Sequence, residues 1–180
     1  MCKSKLTFVF TVVVAAAFLV GCVKNYKIIH DLEAPLQDMA SCTIGAVTDE
    51  LPLDFEEDKK PPLEDIEKFK RYLSEEIMKT GILSMSETGD SAARYEVRGG
   101  ILEYKKGSGT LRVLLGAFAG NAYVAVNLKL LDRTDQLVVF SGSFKGAVTH
   151  YAESGDAMFR QVARDFAKAL SKRAKKLRKK

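Results

Sequence analysis

The sequence predicts an α+β fold: a two-layer sandwich with one mostly antiparallel sheet of about four strands, covered by two amphipathic helices in the order β-α-β-β-β-α. Three observations predict it. Three long segments alternate apolar and polar residues, two others carry apolar stripes at helical spacing, and a short polar connection joins the last two alternating runs.

The first strand is Ser41–Thr48, a run that contains Cys42, Ile44 and Val47. An acidic stretch follows and closes at Pro61-Pro62; it lacks the ordered ligand spacing of a calcium loop. The first helix is expected from Leu63 to Thr80, with Leu63, Ile66, Phe69, Leu73 and Ile77 on one face. Pro62, Glu64 and Asp65 suit its start, and Gly81 suits its C-terminal cap. Ile82–Ser86 reads as a short strand or edge segment.

The second long strand is Arg94–Lys105, where Tyr95, Val97, Gly99 and Ile101 alternate with Glu96, Arg98 and Gly100. Ala122–Leu131 and Leu137–Val148 alternate in the same way, and the polar connection 132–136 makes them an antiparallel hairpin. The final helix starts near Ser154, with Asp156 in its first turn. Its apolar stripe is Phe159, Val162, Ala163, Phe166, Ala169, Leu170, Ala174 and Leu177, and Arg160, Arg164, Lys168, Lys172, Lys175 and Lys179 line the other side.

The N-terminus carries an address. Lys3 and Lys5 precede an uncharged run, Phe8–Val20. As a helix that run rises only about 20 Å, against about 30 Å of bilayer core, so a secretory signal fits better than a membrane span. The run ends in Leu19-Val20-Gly21-Cys22, which resembles the lipobox of bacterial lipoproteins. That resemblance implies recognition of Leu19, Val20 and Gly21 by the signal peptidase, cleavage before Cys22, and lipid (palmitate among the acyl chains) on Cys22. Two or three chains on one residue hold a protein at a membrane where a single chain does not. Val23, where an Asp favours inner-membrane retention, points to the outer membrane, periplasmic side, if the host is Gram-negative.

The resulting organisation is a signal peptide at 1–21, a lipidated tether at 22–40, a globular domain at 41–171 and a basic C-terminal tail at 172–180. A tether of this length reaches at most about 60 Å. With Cys2 lost and Cys22 lipidated, Cys42 is alone and reads as a buried small hydrophobe.

The net charge of +5 is uneven. Arg164–Lys180 holds nine Lys or Arg and one acid, while Cys22–Ala163 holds seventeen basic and twenty-two acidic residues. The basic tail suits an anionic surface; export excludes nucleic acid as its partner.

Between the second and third long strands lies Lys106–Asn121, too apolar for an ordinary loop. Gly107, Ser108, Leu111, Arg112, Leu114, Gly116, Ala119 and Gly120 fit a Gly-Ser-x-x-Leu-Arg-x-Leu-x-Gly-x-x-Ala-Gly pattern that runs into a Val-rich strand. Together with the lipobox, this resembles the bacterial lipoproteins of domain of unknown function 4410. The resemblance covers about Cys42–Leu170 and departs at Thr134-Asp135-Gln136, where Thr-Gly-Glu is expected. It implies no reaction and no catalytic residue. More distantly, the element order resembles envelope lipoproteins that act as accessory or assembly factors.

Three readings of Gly107–Asn121 stay open. It is a structural connector, a small-ligand site, or an interaction segment in which Leu111, Arg112, Leu114, Gly116, Phe118 and Gly120 meet another subunit, a protein partner or the bilayer. His30 and His150 are the only histidines and give no zinc spacing, and no nucleophile motif stands out. The expectation is a non-enzymatic, membrane-held binding or assembly module without cofactor or metal. The alternative is a self-associating lipoprotein, a homo-oligomer through its Gly-rich segment.

Overall fold

A computed structural model describes residues 25–51, 60–107, 122–148 and 156–179. It is an α+β sandwich. The strands are β1 (Tyr26–His30), β2 (Ser41–Asp49), β3 (Ser84–Met85), β4 (Tyr95–Lys105), β5 (Ala122–Asp132) and β6 (Leu137–Val148), and the helices are α1 (Leu63–Thr80) and α2 (Ala157–Leu177).

All the strands form one sheet in the order β1-β6-β5-β4-β2-β3. The expected count of four is therefore corrected to six, and the sheet is mixed. β1–β6, β6–β5 and β5–β4 pair antiparallel, while β2 pairs parallel with both β4 and β3. The parallel pairs follow from α1, whose crossover returns the chain to β2's side of the sheet. β3 is a two-residue edge within the expected edge segment Ile82–Ser86, and the strand without a sequence signal is β1, which lies inside the expected tether. The β5–β6 hairpin forms as expected, with Gln136 in the left-handed region at φ 55°. This is the turn where the sequence lacks the expected Gly.

Alternation in the central strands sends Val97, Ile101, Val124, Val126, Leu128, Phe140 and Phe144 to one buried face, and both helices cover it. Arg98, Glu103, Lys129 and Lys145 point from the opposite face and are exposed. Ile66, Phe69, Leu73 and Ile77 of α1 are buried as the periodicity predicts. Leu63 is not. It is 82% exposed in the first turn, so it leaves the predicted core. Gly81 caps α1 in the left-handed conformation at φ 66°.

On α2, Phe159, Val162, Ala163, Phe166, Leu170 and Ala174 are fully buried. Phe166 packs against Phe140 and Phe144, with ring centroids 5.8 and 5.5 Å away. The helices run side by side in the same direction. Tyr72, midway along α1, donates to the Asp156 carboxylate at the start of α2, and Arg160 stacks over the Tyr72 ring at 4.5 Å. Ser154, the expected cap, lies outside the described residues.

Candidate functional site

Strand register fixes which ends of the fold meet. Lys105 pairs with Tyr123, and Ala122 with Val148, so the flanks of 106–121 and of 149–155 lie at one end of the sheet. Asp49 sits beside Ile101, and the Glu50 N–H donates to the Ile101 carbonyl at 3.0 Å. The chain start belongs to the same end: the Lys145 N–H donates to the Asn25 carbonyl at 2.7 Å, and Tyr26 stacks on Phe144. The N-terminal leash, the acidic connection and the Gly-rich connection therefore all leave the sheet together.

The sequence-predicted site residues fall outside the described residues. This holds for Leu19, Val20, Gly21 and Cys22, and for Leu111, Arg112, Leu114, Gly116, Phe118 and Gly120. What the fold adds is where the Gly-rich segment attaches, between Lys105 and Ala122, at the end of the sheet where Tyr104, Phe159 and Phe69 lie in series. Tyr104 stacks on Phe159 at 6.3 Å, Phe69 meets Phe159 tilted at 5.3 Å, and all three are buried.

The opposite end is closed by ion pairs. Arg94 donates to Asp132 through Nε at 3.1 Å and through Nη2 at 3.0 Å, and the Thr134 N–H donates to the same carboxylate at 3.0 Å. Burial pushes the Asp132 carboxyl up, but the Thr134 N–H and the Arg94 guanidinium outweigh it and leave it below the usual range. On the open sheet face Arg98 grips Glu96 with two hydrogen bonds of 2.9 Å, and Arg133 lies 3.6 Å away. Hydrogen bonding from Arg98 holds the Glu96 carboxyl below the usual range despite its burial. Glu96 fits because Gly45 leaves room: a Cβ there would stand 2.0 Å from the carboxylate oxygen. Ions paired this closely staple strands and the hairpin together.

Cys42 lies fully buried in β2, and burial pushes its thiol up to about 12, which suits a small core hydrophobe rather than a nucleophile. His30 belongs to β1, and His150 lies outside the described residues. Among the described residues no group of three or more His, Cys, Asp or Glu is placed to hold a metal. None of the described helices is long and apolar enough to cross a membrane.

In the sequence the cations of α2 form one helix face and a tail. The structure gathers them into a groove of about 360 Å³ between the two helices. Arg164, Lys168, Lys172 and Lys175 form one wall, Glu76, Lys79 and Thr80 of α1 form the other, with Glu76 bound to Lys79, and buried Ala167 and Ser171 form the floor. Arg173 and Arg178 turn away from it and bind Asp31 and Asp38 at 3.1 and 2.7 Å, which fastens the end of α2 to the β1–β2 connection. The only signal for the groove in the sequence is the 164-168-172-175 spacing; the contribution of α1 depends on the parallel packing of the helices.

None of the curated proteins matches this sequence. Among solved structures, the PelC dodecamer from Paraburkholderia phytofirmans is similar in fold, with a TM-score of 0.56 and 12% identity over 81% of this chain and 96% of that one. A Leu-to-Met variant of the same dodecamer gives the same TM-score and identity, over 81% and 95%. A hypothetical protein from Chlamydia trachomatis aligns at a TM-score of 0.48 with 11% identity, over 76% of this chain and 99% of that one. The family model described as domain of unknown function DUF4410 matches residues 47–159, from within β2 through the Gly-rich connection to the first turn of α2. The chain therefore belongs to the DUF4410 family.

Proposed function

We propose that this protein is an envelope lipoprotein, tethered by lipid on Cys22 and acting as a non-enzymatic binding or assembly module. The observation that carries the reading is the N-terminal sequence itself: a basic start, a short apolar run and Leu19-Val20-Gly21-Cys22. The position of β1 adds a constraint. Its first residue is Tyr26, so the leash from Cys22 spans at most about 14 Å rather than the length of a free tether. The domain is then held close to the lipid surface. Val23 favours the outer membrane of a Gram-negative host. Replacing Cys22 with Ala is expected to abolish labelling by radioactive palmitate and to leave an unprocessed or soluble form. Undiminished labelling of the Cys22→Ala protein overturns the reading.

A second reading, self-association, draws support from the fold shared with PelC, which forms dodecamers. Gly116 and Gly120 would let another backbone approach. Changing both to Leu is expected to reduce cross-linked oligomers at unchanged melting temperature. Unchanged assembly with a collapsed melting temperature would instead make Gly107–Asn121 a connector.

A further inference from the structure

We propose that the groove between α1 and α2 binds the phosphate headgroups of anionic lipids, so that the helix layer lies against the bilayer. The clearest sign is a contrast between the two helices. Every cation of α1 has a carboxylate three or four residues away: Lys68–Glu64, Lys70–Glu67 and Lys79–Glu76 at 2.7 Å, and Arg71–Glu75 at 3.7 Å. That is how a helix face meant only for water is usually neutralised. On α2, Arg164, Lys168, Lys172 and Lys175 stand in one row at spacings of four, four and three, which sets like charges against each other. Among the described residues no carboxylate comes within ion-pair distance of any of the four; Glu76 lines the groove but is bound to Lys79, and Asp165 lies beside Arg164 and Lys168.

The shape fits as well as the charge. Ala167 and Ser171 keep the floor low, so a phosphate can sit between the row on α2 and Lys79 on α1 instead of above isolated lysines. The choice of a bilayer as the occupant rests on the Cys22 reading. α2 lies over β6, the strand next to β1, and the leash of about 14 Å exceeds one helix diameter of about 10–12 Å. A lipid on Cys22 therefore comes close to the plane of the outer surface of α2. Once the chain is held there, each added cation near an anionic surface strengthens the contact about fivefold.

The test uses the unlipidated chain from residue 22 onward with Cys22→Ser, which keeps every described residue. It is mixed with vesicles of phosphatidylcholine alone, or with three parts in ten of phosphatidylglycerol. Binding is expected only to the anionic vesicles and should vanish in high salt. The triple variant Lys168→Gln, Lys172→Gln, Lys175→Gln should bind them roughly 100-fold more weakly. It should melt no lower than the parent, because it removes repulsion from exposed helix positions. A control triple on the open sheet face, Lys105→Gln, Lys129→Gln, Lys145→Gln, removes the same charge and should change binding less than threefold. Equal losses from both triples, or equal binding to neutral vesicles, overturns the proposal. So does a short DNA duplex that competes as strongly as the vesicles, since the groove would then take phosphate of any source. Palmitate labelling reads Cys22 alone, so the anchor and the groove can fail separately.

Discussion

Phe166→Ala is expected to destabilise the fold by about 3–5 kcal/mol, the largest loss we foresee from a single truncation. Phe166 is wholly buried, and its ring lies between the tilted ring of Phe140 and the edge-on ring of Phe144. Removing it takes away the apolar area of the ring and leaves a void that two strands and a helix cannot close together, because β5 and β6 are fixed by their register. Chemical denaturation at equilibrium measures the effect. A loss below about half a kcal/mol would mean that α2 does not dock on β6.

The second large effect is expected at Gly146. A Cβ built there would lie 2.0 Å from the carbonyl oxygen of Met158 and 2.8 Å from its carbonyl carbon, both backbone atoms in the first turn of α2. Backbone cannot swing aside as a side chain does, so Gly146→Ala must push the start of α2 off the sheet. A cost of about 2–3 kcal/mol follows, at the upper end of ordinary overpacking. Gly81→Ala is the useful comparison. Nothing lies within 4 Å of the added carbon there, and the strain comes only from the left-handed backbone, at about 1 kcal/mol. If both variants melt at the same temperature, the helix does not approach Gly146 this closely.

The parts of this fold that are legible in the sequence are those where one period runs unbroken. Ile66, Phe69, Leu73 and Ile77 mark α1 because each turn of the helix meets the same sheet. The alternation in β5 and β6 survives because one face is buried and the other wet. β1 escapes notice for the opposite reason: five residues at an edge, with a register break between Ile28 and His30 and Ile29 63% exposed, carry no readable period. β3 is shorter still, and only its place as the edge segment Ile82–Ser86 is legible. Leu63 misleads because the helical spacing continues into a first turn with no partner beneath it. The basic groove is half legible. The row on α2 is visible as spacing, but Lys79 joins it only because two helices far apart in the chain run parallel.

The pairing of β1 with β6 also sets an order of events. Tyr26 finds its place against Phe144 and Asp31 meets Arg173, so β1 has no strand partner until β6 has been made. For a chain that crosses a membrane amino end first, the earliest strand to emerge is among the last to be secured. Contacts this distant in sequence close slowly, and the unpaired edge of β6 stays open to other strands in the meantime. For such a chain, the interval between emergence and closure is when that open edge is most exposed.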